Sequence, residues 1–289
     1  EACRLRLSEA VKSAVPEFKA VSGKLDVPAE LISQVEILVQ AAPDISTAIR
    51  HLAVLPGLLE VDIGQLRQGA REQLQETPFL ALIPSTNYHP DGKVTHRSRD
   101  FEENVERWAS ISVSFHLALV EGLLRHFLIH TEAQFEDETL VAALADWPHL
   151  PGHRRDLLAV ASERFAKRDW VSSGCIVALA YEAVLRDLLR AADYPALKVE
   201  PDGVQMDETL NSLVRTDAAR EILGREHCDL VTHVLCDPAL GWNLRNDVAH
   251  GTVRPETLTP TRVLLVWLLL IRVTCFVAGP SAEDAGSPS

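Results

Sequence analysis

Positive charge is in short supply in this chain. Lys and Arg number 28 against 41 Asp and Glu, a formal net charge of -13. A general nucleic-acid surface attracts phosphate through clustered cations, so this balance excludes one, and any grip on RNA has to be local. Cysteines are few: Cys3, Cys175, Cys228, Cys236 and Cys275. An odd number, set mostly in apolar helical patterns, suits reduced thiols better than a disulfide framework and predicts a reducing, cytoplasmic compartment. Long apolar runs are also missing. The most apolar stretch, Val263 to Ile271, is bracketed by Arg262 and Arg272 and falls short of the ~20 residues of a membrane span. A buried helix is expected there, and no membrane association. Glu1 to Leu7 carries charge where a secretory leader needs an apolar core, so no signal peptide is expected.

Several catalytic strings do not occur. Neither a G-x-S-x-G nor a G-x4-G-K-[ST] sequence is present, which disfavours an activated-serine hydrolase and a phosphate-cradling NTPase. His126 and His130, four apart on one helix face, could ligate a metal, but no HExxH pattern or obvious third ligand accompanies them. His227, Cys228, His233 and Cys236 are suitable ligand types, yet they lack C-x2-C spacing and do not share one helical face. Neither a metal site nor a cofactor is expected.

What is present reads as helix nearly throughout. Hydrophobic residues make up 47 % of 289 positions, enough for one large or two modest packed domains. Apolar residues recur at helical spacing from Leu7 to Val15. A second helix opens at Val27-Pro28-Ala29-Glu30, Asp44 caps a third, and Asp62 or Gly64 begins a fourth. Residues 76–98 break the pattern with an extended excursion and a small hairpin around Asp91-Gly92, flanked by Leu82-Ile83 and Lys93-Val94. His89, His96, Arg97 and Arg99 form a local basic cluster in it. A long apolar stripe then runs from Val105 to Phe127. Trp147-Pro148-His149-Leu150-Pro151-Gly152 is the clearest punctuation. It divides a helical N-terminal region, 1–150, from a second helical domain, 151–279, with a frayed tail at 280–289. Arg154, Arg155, Arg164, Lys167 and Arg168 follow the boundary as a candidate RNA-phosphate contact, or otherwise a solvated helix face. Trp170 to Ala192 is the strongest helix, with Glu182, Arg186, Asp187 and Arg190 off its core face. Pro195 to Gly203 is a break, and Pro260 starts an apolar closing helix.

The chemically densest segment is Gly241-Trp242-Asn243-Leu244-Arg245-Asn246-Asp247-Val248-Ala249-His250-Gly251. Gly241 favours a turn before it and Gly251 a stop after it. Asn246 and His250 form an i,i+4 pair, and the long side chain of Arg245 could curl toward them, so that three groups converge on one anion. This Arg-Asn-x3-His-Gly pattern resembles the R-x4-6-H motif of HEPN-superfamily ribonucleases. More narrowly, it is similar to the RNxxxHG signature of a widespread bacterial and eukaryotic domain in that superfamily. The resemblance covers about Trp170 to Phe276, with weaker likeness at Pro78 to Pro84 and Pro90 to Val94.

The resemblance implies an all-α fold, in which a helical N-terminal region precedes an antiparallel HEPN-like bundle, and an endoribonuclease needing no metal. RNA supplies its own nucleophile in the 2′-OH. His250 would serve as base or acid, Arg245 would hold the phosphate through its planar fork, and Asn246 would orient the imidazole or donate to a phosphate oxygen. One histidine cannot easily serve both sides of a phosphate. HEPN enzymes typically dimerise so that two motifs face each other, and the resemblance therefore implies a homodimer. Its role would be that of a toxin or antiviral effector, restrained by a regulatory protein partner. The closing helix with Trp267 would join that interface or its own core. The alternative is a non-catalytic HEPN-like module binding a nucleotide, RNA or a protein. In it Arg245 pairs with an acid, Asn243 caps a helix and His250 closes one.

Overall fold

The computed structural model describes residues 27–88, 94–144 and 147–276, so the expected first helix, the Asp91-Gly92 turn, His89 and the tail lie outside the described residues. The protein is all-α. Among the described residues there are thirteen α-helices and two small two-stranded antiparallel sheets. Side-chain caps start many of the helices. Asp44 accepts from the Thr47 N–H at 2.8 Å to begin α2, Ile45–Ala53, after α1, Ala29–Ala41. Asp62 accepts from Gln65 N–H to begin α3, Ile63–Glu76, and a single turn, α4, Pro78–Ala81, follows. Asp100 caps α5, Phe101–Thr131. Each such carboxylate satisfies a backbone donor that the first turn leaves unpaired.

The hairpin of the 76–98 excursion forms between β1, Ser85–Tyr88, and β2, Val94–Ser98, with Ser85 opposite Ser98. Leu82 and Ile83 are not in it. Pro84 has no N–H to give a ladder, and the preceding residues wind into α4 and a turn instead. After a short α6, Thr139–Ala142, the chain forms α7, Gly152–Ala166, and α8, Trp170–Ala191, which Asp169 caps. The Pro195 to Gly203 break contains a second hairpin, β3, Leu197–Val199, with β4, Gln205–Asp207. Three-residue strands are too short to reveal a period of two. Then come α9, Leu210–Leu213; α10, Asp217–Leu223; and α11, Arg225–Val231, which runs into a π-helical turn at Thr232–Cys236. The last two helices are α12, Leu244–Ala249, and α13, Pro260–Thr274.

α13 is the centre of the molecule. Residues Val263 to Ile271 are all fully buried, and the helix packs on α8, α2 and α5. Trp267 is at 0 % exposure and donates its indole N–H to Ser173 Oγ at 3.1 Å, so this face belongs to the chain's own core and is not open for a subunit contact. One buried cluster takes in Val35, Phe127, Leu140 and Trp147 together with Tyr181, Leu235 and Trp267; residues from both sides of the 147–152 punctuation therefore share one core. α5 with the turn that follows it, Phe101–Gln134, is long and apolar enough by length and composition to cross a membrane, and 39 % of its apolar window is buried inside the fold.

The buried histidine His227 fastens the 57–61 loop to this core. Its Nδ1 lies 3.0 Å from the Leu59 carbonyl, and its Nε2 lies 3.4 Å from the Tyr181 hydroxyl. Burial, and next the Arg272 guanidinium, push the imidazole down to about 4, against the opposing pull of the Leu59 carbonyl and Glu60. The unfolded chain takes up the proton near pH 6.5, whereas the folded chain does not until about 4. The resulting stability is complete above about pH 6.5 and is lost as pH falls toward 4. Burial lowers His116 and His233 in the same direction. Urea unfolding is expected to show a loss of about 2 kcal/mol between about pH 7.5 and pH 5 from His227 alone. A flat stability profile over that window would contradict this account.

Candidate functional site

The motif is held by elements that come from the whole chain. The π-helical turn presents the His233 carbonyl, which accepts the Trp242 N–H at 2.9 Å. A Cβ on Gly241 would sit 2.1 Å from that same oxygen, so only glycine allows this approach. Ser110 of α5 donates to the Leu240 carbonyl at 3.0 Å, and Thr95 of β2 donates to the Ala239 carbonyl at 3.3 Å. Arg262, at the start of α13, stacks over Trp242 at 4.4 Å and pairs with Glu121 of α5 at 2.9 Å. The N-terminal region thus positions the entry to α12 directly.

At the end of α12, Gly251 has φ +67, its N–H donates to the Val248 carbonyl and the Thr252 N–H to the Asp247 carbonyl. That is the Schellman pattern, in which a left-handed glycine closes the helix. Asn243, at the start, is itself left-handed at φ 53. Its side chain does not cap the helix. It donates to Asp247 Oδ1 at 3.0 Å and accepts from Asn246 at 2.8 Å.

Arg245 and Asn246 are in direct contact: Arg245 Nη1 donates to Asn246 Oδ1 at 3.0 Å. Both Nδ2 hydrogens of Asn246 are engaged, one with Asn243 Oδ1 and the other with the Cys236 carbonyl at 3.3 Å. Asn246 therefore orients Arg245 and the π-helical turn, and it makes no hydrogen bond to the imidazole. Arg245 Nη2 lies 2.5 Å from Glu182 Oε2, close enough for an ion pair but out of line for a hydrogen bond, since that oxygen has no hydrogen-bond donor. Glu182 also takes Arg186 Nη2 at 2.8 Å, and Asp207 joins Arg186 to Arg190. Three guanidinium groups thus face two carboxylates along one side of α8.

These charges differ from the sequence expectation that they lie off the core. The side chains of Glu182 and Arg186 are only 14 % and 10 % exposed, because each neutralises the other and Arg186 also donates to the Glu208 carbonyl. Glu182 is the site residue that sequence reasoning did not identify. The signal was its i,i+4,i+8 alignment with Arg186 and Arg190 in an otherwise apolar helix. His250, at the other end of α12, is exposed, and among the described residues no hydrogen bond or ion pair engages its imidazole. Its backbone N–H bonds the Asn246 carbonyl at 2.9 Å. Of the three motif side chains, Arg245 and Asn246 are hydrogen-bonded to each other, and His250 is bonded to neither through its imidazole.

The basic group after the boundary is largely neutralised. Arg154 pairs with Asp187, Arg168 with Glu132 at 3.1 Å, Arg164 with Asp169 at 3.9 Å, and Lys167 with Glu163 and with Asp137 at 3.8 Å. Arg155 has a partner as well. In the His/Cys quartet, His227 is tied to Leu59, and burial pushes the Cys228 and Cys236 thiols up to about 12, which holds them protonated.

A cavity of about 400 Å³ opens beside the motif, between α3, α5 and the π-helical turn. His233, 4 % exposed, and Arg220 line it, and their Nε2 and Nε atoms are buried without a hydrogen-bond partner. Arg215 is exposed at its edge, and Glu106, Asp229 and Asp237 add acceptors.

No family model matches the chain, and no curated protein or solved structure matches it, so none of these comparisons identifies a HEPN domain.

Proposed function

We propose that this protein is a metal-independent endoribonuclease of HEPN type, with Arg245 and His250 as its catalytic residues and Asn246 as a positioning residue. The observation that carries this reading is a contrast within one short helix. Arg245 is held in place by Glu182 and Asn246, while five residues later an exposed imidazole has no partner among the described residues. In the reaction, a base takes the proton from a ribose 2′-OH, the O2′–P bond forms, and the P–O5′ bond breaks as an acid protonates the leaving oxygen. The products are a 2′,3′-cyclic phosphate and a 5′-hydroxyl. Arg245 would exchange Glu182 for the phosphate, whose charge grows in the transition state. One imidazole serves one side, and the other side is supplied by His250 of a second copy in a homodimer. The role is that of a cytoplasmic toxin or antiviral effector restrained by a protein partner. Labelled total RNA incubated with EDTA, comparing the intact chain with His250→Ala and mapping product ends, tests the reading. Cleavage that persists unchanged in the variant rejects it.

A second reading is favoured by the cavity beside the motif: a non-catalytic module that binds a nucleotide. Arg215, the unpartnered Arg220 Nε and the unpartnered His233 Nε2 would take its phosphate, and Glu106 or Asp229 its hydroxyl groups. Charge-assisted hydrogen bonds are worth about 1.5–3 kcal/mol, so Arg215→Ala is expected to weaken adenosine 5′-monophosphate binding by roughly 10- to 100-fold in calorimetry. An intact chain that binds none of it at millimolar concentration removes this reading.

A further inference from the structure

Two imidazoles one helical turn apart meet a carboxylate that comes from another helix. His126 and His130 lie on α5, and their ring centroids are 4.5 Å apart. Glu36 of α1 places its Oε1 3.0 Å from His126 Nε2. One ligand atom from each of the three lies within 4.8 Å of the others. The sequence offered the histidine pair without a third donor, and the fold supplies it from 90 positions upstream.

The approach of the two helices explains how. Gly122 stands one turn before His126 on the same stripe of α5. A Cβ there would sit 2.5 Å from Val27 Cγ2, just ahead of α1, so a larger residue would push α1 away. Val35, next to Glu36, is buried in the core at 2 % exposure and anchors the helix from the other side. Gly122, His126 and His130 thus form one i,i+4,i+8 line beneath α1.

We infer that Glu36, His126 and His130 form a binding site for a first-row transition-metal dication, with Zn²⁺ the ion whose ligand preferences fit best. Two imidazole nitrogens and one carboxylate oxygen are a zinc donor set with one open position, whereas Mg²⁺ and Ca²⁺ want oxygen throughout. Zinc at about 2.0–2.1 Å from tetrahedral ligands sets those atoms roughly 3.3 Å apart. The His126–Glu36 pair is already at that separation, and the widest pair has to close by roughly 1.5 Å, which side-chain rotation supplies without moving a helix. On binding, the His126 Nε2 lone pair replaces its hydrogen bond to Glu36, the ring proton resides on Nδ1, and any displaced proton goes to solvent. The side chains of Glu36 and His126 are 48 % and 25 % exposed, so the ion has an entry path and water completes its fourth position. The bound ion clamps α1 to α5. This site is independent of the ribonuclease reading, which uses other residues.

The test uses the full chain after EDTA treatment and desalting, titrated with Zn²⁺ by calorimetry and with Co²⁺ by visible spectroscopy. One equivalent is expected to bind, to give the d–d bands of a four-coordinate nitrogen and oxygen site without thiolate charge transfer, and to raise Tm by about 5 °C at saturating zinc. His130→Ala and Glu36→Gln, both at exposed positions, are each expected to weaken binding at least about 100-fold with the apo Tm unchanged. Binding weaker than about 1 mM in the intact chain, equal affinity in both variants, or thiolate bands that trace the ion to Cys275 or Cys175, would overturn the inference.

Discussion

His250→Ala is expected to lower RNA cleavage in EDTA by roughly 10²–10⁴-fold, the usual contribution of one positioned acid or base. The imidazole is exposed and, among the described residues, unengaged, so its removal changes stability by no more than about 0.5 kcal/mol, and a lost rate therefore reports chemistry. Arg245→Ala is a less clean probe. It removes the phosphate partner, and it also strips Glu182 of one of its two cations while leaving that carboxylate largely buried. Rate and stability then fall together. Arg245→Lys separates the two effects, because a lysine keeps the charge for Glu182 but not the planar fork that spans two phosphate oxygens. The expected order of rates is intact chain, then Arg245→Lys, then His250→Ala. If His250→Ala cleaves at the rate of the intact chain, or if its loss of rate is matched by a loss of Tm, His250 is not the proton-transfer group.

Trp267→Ala should be the most damaging single change to the fold. The indole is fully buried at the centre of α13, and truncating a buried tryptophan costs about 3–5 kcal/mol through lost transfer energy and the cavity left behind. It also leaves the hydroxyl of Ser173, itself at 0 % exposure, without its donor. Trp267→Phe isolates that second contribution: most of the ring volume stays, the N–H goes, and about 1–3 kcal/mol should be lost. Urea midpoints of the two variants give the comparison. A cost under about 1 kcal/mol for Trp267→Ala would place the residue on a surface or at a subunit contact, contrary to its burial here.

The N-terminal region acquires a role from the same packing. Ser110 and Thr95 reach the segment that leads into α12, Glu121 holds the Arg262 that stacks over Trp242, and His227 ties the 57–61 loop beneath α8. What resembled a boundary at 147–152 is a chain reversal that inserts Trp147 and Leu150 into one shared core, because prolines and a glycine mark chain reversals and domain limits alike.

Local features were legible in the amino-acid sequence because their causes span only a few residues. Asp44 and Asp62, both read as helix starts, each cap the helix that begins one residue later by reaching a backbone N–H three positions ahead, and the structure adds Asp100 and Asp169 in the same role. Gly251 stops α12 because only a few residue types accept φ +67. The apolar run at Val263 announced a buried helix for the same reason: composition alone decides that it shuns water. The sequence by itself therefore determined the all-α character, the main helices and the place of the Arg245–His250 segment. Only the tertiary structure decided that Arg245 answers to Glu182, that Asn246 turns inward to Cys236, and that Glu36 comes to His126. Those pairings depend on how each helix is rotated and which neighbour it meets, and rotation is set by the packing of the whole core around α13, which no short stretch of sequence encodes.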